Sequence, residues 1–238
     1  MRLDLNCDLG EGEPVRRTRA LMGLVTSVNV ACGGHAGDLA TMERCLTWGR
    51  ELGVRVGAHP GVAGAFGRGE VNLTAAELEV LLVHQVGALD RLARAQRMRL
   101  QHVKLHGSLY HAVERDAQLA ECYLRTVSRW FGNLRVYALA GGTLVGLAKR
   151  WGVEVWEEAF LDRGYRDDGT LVPRSEAGAV LTDRAVLRRR LERLRQGRGL
   201  ESQSGRELPL RPRTLCVHGD TPDAVALARF AARALFGR

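Results

Sequence analysis

Short apolar runs rich in Val, Leu and Ala alternate along the chain with Gly-containing polar turns and amphipathic stretches of helical period. Seven of the runs read as strands: Leu3–Cys7, Ser27–Ala31, Val54–Ala58, His102–Leu105, Arg135–Leu139, Val153–Trp156 and Thr214–Val217. The helical stretches between them carry start and stop signals. Thr74 and Glu77 form a capping box, Asp38 and Asp116 are candidate N-caps, and Thr221 before Pro222 places proline at the first helical position. Gly53, Gly132 and Gly152 fall where helices should stop before the next strand.

Strands that alternate with helices predict a parallel sheet, because parallel neighbours need crossover connections. The runs read as apolar on both faces, as expected of strands covered on both sides. An open doubly wound sheet and a closed barrel both fit this rhythm. The polar residues separate them. Six of the seven runs end in potential acid, base or ligand residues, at the C-terminal strand ends where α/β folds build their sites. In an open sheet these would spread over ~30 Å, whereas a barrel gathers them into one pocket. The expectation is therefore a single α/β domain over 1–238, a seven-stranded parallel β/α barrel.

The candidate chemistry lies in those strand-end segments. Asp8 and Glu11 follow the first strand, His35 and Asp38 the second, and His59 the third. Lys104, His106 and Tyr110 follow the fourth, Asp162 and Arg163 the sixth, and His218 and Asp220 the seventh. Four histidines beside glycines are costly to bury unpaired, and carboxylates beside imidazoles suit water activation with or without a metal. If a divalent ion is held, Asp8, His59 and His106 are the expected ligands; a metal-free general-base site is the equal alternative. Arg163 suits a substrate carboxylate, with an ion pair to Asp162 as the ordinary alternative.

Composition sharpens one residue. The 238 residues are 45% hydrophobic and 26% charged, which excludes a disordered chain. No apolar run reaches the ~18 residues of a membrane span, and Asp4 interrupts what would be the apolar core of a signal peptide. Of 35 basic residues only Lys104 and Lys149 are lysines. Lys104, two residues before His106, is singled out: a compact ammonium can face an oxyanion, or lose its proton when buried. Lys149 reads as solvated. The net charge of +8 is concentrated between Arg184 and Arg198, which carries +6 in 15 residues. Its Leu187, Leu191 and Leu194 form one side of a helix with arginines around the rest. A solvated face is the first reading, a partner surface the second and nucleic acid the last, since no aromatic residue is available for stacking. Gly197–Pro212 reads as a mobile surface loop.

Five cysteines without a CxxC pair point to a reduced, cytoplasmic protein, with Cys7, Cys32 and Cys216 as buried hydrophobes. Several signatures are absent. Gly10-Glu11-Gly12 lacks the third glycine of a dinucleotide fingerprint, Leu147 stands where a P-loop needs lysine, and there is no GxSxG or HExxH.

At these motifs the chain resembles the family of the 5-oxoprolinase A component, the LamB/YcsF or lactam-utilisation family. The matching pieces are Asp4–Glu11, Asn29–Asp38, Gly57–Pro60, Phe66-Gly67-Arg68, Val103–Tyr110, Asp162-Arg163-x-Tyr165, Asp168–Arg174 and Cys216–Asp220. Leu39, Leu105 and His111 stand where the family usually has Pro, Pro and Asn, and the segment from Gly61 to Phe66 is about two residues short. The resemblance implies a barrel of the glycoside hydrolase/deacetylase type. It implies ATP-dependent opening of 5-oxoproline (pyroglutamate) to glutamate, using ATP with Mg2+ and two carboxyltransferase-like partner subunits. Under it the expected catalytic residues are Asp8, Glu11, His35, His59, Lys104, His106, His218 and Asp220. Asn6, Asn29, Asp38, Arg68, Tyr110, Asp162 and Arg163 are the expected substrate contacts. A metal-dependent deacetylase or amidohydrolase on the same barrel, and a basic nucleic-acid-binding protein, are the competing readings.

Overall fold

In the computed structural model, which describes residues 3–64, 71–219 and 223–237, the strands close into a barrel. The expected site residues Arg68 and Asp220, and the expected cap at Thr221 and Pro222, lie outside the described residues. The barrel strands are β1 (Asp4–Leu9), β2 (Ser27–Ala31), β3 (Arg55–His59), β4 (His102–Val103), β5 (Arg135–Leu139), β6 (Val155–Phe160) and β9 (Thr214–Val217). Each is parallel to its neighbours, and β1 pairs with both β2 and β9 to complete the ring. Only His102 and Val103 are regular in β4, but Gln101 N and Lys104 N donate to Val56 O and Ala58 O, so its pairing with β3 runs further.

The helices outside are α1 (Val15–Met22), α2 (Leu39–Leu52), α3 (Ala75–Ala95), α4 (Gly107–Arg115), α5 (Ala117–Trp130), α6 (Thr143–Ala148), α7 (Arg184–Arg195) and α8 (Ala224–Phe236). The expected caps form where their residues fall. Asp38 accepts from Thr41 N, the Thr74–Glu77 box closes in both directions, and Asp116 accepts from Gln118 N and Leu119 N. Gly53 ends α2 at φ 65°, a left-handed conformation that favours glycine. Among the described residues, no helix is long and apolar enough to cross a membrane.

Outward-facing strand residues such as Leu5, Cys7, Val28, Val30, Val56, Val103, Val136 and Leu215 are buried against the helices. The inward face corrects the expectation of strands apolar on both sides. Asp4, Asn6, Ser27, Asn29, His102, Glu158 and Thr214 are all buried inside the barrel. Most of their polar atoms satisfy one another across the interior, although His102 Nδ1 and one Glu158 oxygen do not find a hydrogen-bond partner. Asp4 accepts from Ser27 Oγ at 2.7 Å and Thr214 Oγ1 at 2.6 Å, and also from Thr26 Oγ1. Asn6 joins Glu158 at 2.8 Å, and Asn29 Oδ1 faces His102 Nε2 at 2.6 Å. Gly57 makes room for this layer, since a Cβ there would collide with the His102 ring.

Two sequence expectations change on the far side of the ring. Val153–Trp156 was expected as the sixth strand, but β6 runs on to Phe160 through Glu157 and Glu158. The segment Gly197–Pro212 contains a hairpin of β7 (Leu200–Glu201) and β8 (Glu207–Leu208), whose Leu200 and Leu208 are buried. The arginine-rich helix α7 is also not simply solvated. Arg190 and Arg193 are buried; Arg190 donates to the carbonyls of Phe160, Leu161 and Arg163, and Arg193 to Glu207 at 2.7 Å. These two side chains tie the segment after β6 and the hairpin to α7.

Candidate functional site

The loop after β1 is shaped by Glu13, which accepts from Gly10 N and Glu11 N at 2.8 Å and so sets the direction of Glu11. The loop after β2 carries His35, β3 ends on His59, and His106 is the N-cap residue of α4 directly beyond β4. Closure of the ring brings these four together. Glu11 Oε1 lies 2.9 Å from His106 Nδ1, 3.0 Å from His35 Nε2 and 3.5 Å from His59 Nε2. The His35 and His106 rings stack with centroids 3.6 Å apart, and His59 stands edge-on to both. Gly61 permits this packing, because a Cβ there would strike His35 Nδ1.

One ligand atom from each of Glu11, His35, His59 and His106 lies within 4.8 Å of the others. His59 Nδ1 donates to the Lys104 carbonyl at 2.7 Å, leaving Nε2 to face the cluster, as backbone carbonyls commonly orient metal-binding imidazoles. His35 Nδ1 is buried without a hydrogen-bond partner. Three imidazoles and a carboxylate suit Zn2+ or another first-row divalent ion. The donor set therefore fits a metal, but it differs from the expected Asp8–His59–His106. His59 and His106 belong to it, whereas Glu11 and His35 take the remaining places. Burial lowers the His35 pKa to about 4, favouring the neutral, ligating form. For His59 burial acts downward too, but the Asp8 and Glu11 carboxylates outweigh it and raise the pKa.

Asp8 instead belongs chiefly to Lys104. Lys104 Nζ, buried inside the barrel, lies 2.9 Å from Asp8 Oδ1, 3.0 Å from Glu158 Oε1 and 3.2 Å from Cys216 Sγ. Burial alone would favour the neutral amine, but the Asp8 and Glu158 charges prevail and hold the pKa well above its usual value. Of the two options open in the sequence, the structure takes the ammonium. Asp8 Oδ1 also accepts from Asn29 Nδ2 at 2.7 Å, and the carboxyl is held below its ordinary range by His59 and Lys104 against the effect of burial. Asn6 and Asn29 thus form the floor beneath the charged groups.

A second pair lies beside this space, with His218 lining the cavity and Asp162, an expected substrate contact, buried and lining no cavity. His218 Nδ1 is 2.8 Å from Asp162 Oδ1, and Asp162 Oδ2 receives His218 N at 3.4 Å. Asp162 is buried, which raises its pKa, but the His218 contacts bring it below the ordinary value. Asp162 therefore serves His218 and not Arg163. Arg163 donates Nε to Ala179 O at 3.0 Å and a terminal nitrogen to Val172 O at 2.6 Å, pinning the segment after β6.

These groups open on a cavity of about 1120 Å³ lined by Asp8, Glu11, His59, Lys104, His106, Tyr110, Arg163 and His218, among others. A smaller cavity of about 330 Å³ lies beside it and shares Asp8, Glu11, His106 and Gly219, with His35 on its own wall. Asp38 is exposed, caps α2 and lines neither cavity. Ser108 lines the larger one. Glu158 is the functional residue that sequence reading missed. Its signal is the alternation Trp156-Glu157-Glu158-Ala159-Phe160, which puts an acid on the inward face of a strand covered on both sides. The expected buried cysteines are buried, and all five thiols are free.

Comparison with known proteins gives the family and the fold. The model of the LamB/YcsF family matches residues 3–236. A lactam utilisation protein from Thermus thermophilus has a structure similar to this chain at TM-score 0.90, with 35% identity, covering 99% of this chain and 96% of that one. An uncharacterised protein from Agrobacterium tumefaciens matches at TM-score 0.55 and 12% identity, covering 98% of this chain and 83% of that one. A putative cellobiose-phosphate cleavage protein from Enterococcus faecalis matches at TM-score 0.54 and 11% identity, covering 98% and 89%. The last two share the fold alone.

Proposed function

Since the chain belongs to the LamB/YcsF family, we propose that it opens the ring of a small cyclic amide, 5-oxoproline, to give glutamate. It does so in the cytoplasm, driven by ATP with Mg2+, within an assembly that includes two carboxyltransferase-like partners. The observation that carries this reading is the buried Lys104 ammonium, held between Asp8 and Glu158 in the lining of a cavity that His218 also lines.

Ring opening adds water across the amide: the C–N bond breaks, the carbonyl carbon gains hydroxyl and the ring nitrogen gains a proton. A planar five-membered lactam is resonance-stabilised, so transfer of the terminal phosphoryl of ATP to its carbonyl oxygen, with ADP leaving, supplies the drive; water addition and C–N cleavage then give a glutamyl phosphate, whose hydrolysis releases glutamate and inorganic phosphate. Asp162 fixes His218 with Nδ1 protonated, which leaves Nε2 to take a proton from the attacking water and return it to the ring nitrogen. Lys104 stabilises the negative charge that develops on oxygen. Asp8 keeps that lysine charged and in place. A divalent ion at Glu11, His35, His59 and His106 would polarise the bound carbonyl or water.

The test is glutamate release from 5-oxoproline by the chain with its partners, with and without ATP. ATP-dependent release that Lys104→Met abolishes supports the proposal; full activity by the chain alone overturns the requirement for partners. The Glu11–His35–His59–His106 cluster favours one further reading, a metal-dependent amidohydrolase. Hydrolysis that ignores ATP and tracks bound metal would establish that reading instead.

A further inference from the structure

Lys104 is surrounded by more acceptors than an ammonium can use. Its three N–H bonds face five acceptor atoms: Asp8 Oδ1 at 2.9 Å, Asp8 Oδ2 at 3.3 Å, Glu158 Oε1 at 3.0 Å, Cys216 Sγ at 3.2 Å and Asn6 Oδ1 at 3.5 Å. Three adjacent strands, β6, β9 and β1, supply them, and Lys104 reaches in from the end of β4. Asn6, Lys104, Glu158 and Cys216 are all buried. One carboxylate would satisfy a simple ion pair. Two carboxylates, a thiol and an amide oxygen converging on one point instead resemble the surroundings of a bound metal ion.

Part of this set can also ligate a metal. Asp8, Cys216 and His218 each place one ligand atom within 4.8 Å of the others, and none of the three belongs to the Glu11–His35–His59–His106 cluster. Carboxylate, thiolate and imidazole are the donors of zinc sites. Asp8 Oδ1 faces Lys104, while Oδ2 lies 3.5 Å from His59 Nε2, so one carboxylate stands between the ammonium and the histidine cluster. Two-metal hydrolytic centres likewise hold two cations side by side. Asp8, Lys104 and His218 line the large cavity, which gives an ion a way in. The ammonium itself keeps a dication out, because it already stands against Asp8 and Cys216 and two cations on the same donors repel strongly in a buried site.

We infer that Asp8, Cys216 and His218 form a second cation site, that Lys104 fills it with its own ammonium, and that a thiophilic divalent ion such as Zn2+ binds there once the ammonium is removed. The incoming ion takes Cys216 as the thiolate, and the thiol proton passes to water. In the wild-type chain the second cation is tethered, so chelation cannot remove it and a metal cannot replace it. The inference stands without the proposed reaction. Its link to that reaction is that His218, left unligated, stays available to move protons.

Titration of the metal-free whole chain with Co2+ tests it, read as bound metal per chain and as thiolate-to-cobalt charge-transfer absorption in the near ultraviolet. Lys104→Ala should take about one Co2+ more than the parent and show the thiolate band, which the parent should lack. Lys104→Ala/Cys216→Ser should lose both the extra ion and the band. Lys104→Ala/Glu11→Gln should keep the band, which separates this site from the histidine cluster. If Lys104→Ala does not fold, Lys104→Gln, which retains a donor to Asp8, is read by the same criteria. Four results overturn the inference: a thiolate band in the parent, no additional ion in the lysine variants, an additional ion that survives Cys216→Ser, or failure of both lysine variants to fold with Co2+ present, since the ion should replace the lost charge. Lost glutamate release with these metal readings intact would count against the proposed reaction alone.

Discussion

Lys104 and Asp8, from β-strand ends that are not neighbours in the barrel, form a buried ion pair with Nζ 2.9 Å from Oδ1. Buried charges of this kind are costly when one partner is removed, about 3–5 kcal/mol, because the other is left uncompensated. Lys104→Met strands both Asp8 and Glu158. A fall in unfolding free energy of that order is expected in urea titration, together with loss of ring opening. Lys104→Met/Asp8→Asn should recover part of the lost stability, since Glu158 stays without the ammonium, and none of the activity. A single Lys104→Met variant as stable as the parent would show that the pair is not held as described.

Asp162 acts through His218, so Asp162→Asn should reduce kcat by roughly 10²–10⁴ with KM little changed. His218→Asn should lose a similar factor. The double variant should lose no more than either alone, since the two residues form one unit. Additive losses in steady-state kinetics would separate them.

Metal content gives an independent measure of the histidine cluster. Purified protein should carry close to one equivalent of a first-row divalent ion by elemental analysis. Chelation should lower Tm, because an ion bound only to the folded state stabilises it. Glu11→Gln and His59→Ala should lose the ion, while Asp8→Asn should retain most of it. Metal-free wild-type protein that is fully active would remove the ion from the reaction.

Acid sensitivity follows from the polar interior. Burial lowers the His102 pKa to about 3, from an ordinary value of about 6.5. Between these values the unfolded chain binds a proton that the folded chain refuses, so stability falls as pH drops from about 6.5 towards 3. His102→Gln should flatten the dependence in that window. Asp4 behaves differently. Burial would raise its pKa, but Thr214, Thr26, Ser27 and Arg55 bring it below its ordinary value. Its contribution is therefore present above about pH 4 and lost as pH falls through the lower folded value. Asp4→Asn should change only this lower window, in unfolding titrations between about pH 2 and 7.

Much of this arrangement was legible in the residues, for reasons that can be located. Asp38, Thr74 and Asp116 work as caps because capping depends on atoms a few residues apart. His59, His106 and His218 face the cavity because each ends a strand or follows one by at most a few residues. Glu158 escaped because two successive acids argue against a strand, and only the closed interior with Asn6 and Lys104 makes one of them tolerable. Arg190 and Arg193 escaped similarly, since arginine on an amphipathic helix reads as solvent-facing until carbonyls and glutamates are found around it.

By itself, then, the sequence determined the strand–turn–helix rhythm, the ends at which chemistry collects and the lysine worth attention. Those features follow from local periodicity, capping and composition. The tertiary structure decided the partners: Glu11 with three histidines, Asp8 with Lys104, and Asp162 with His218. It also decided the protonation of Lys104, because a pKa depends on burial and on charges that only barrel closure brings within a few ångströms.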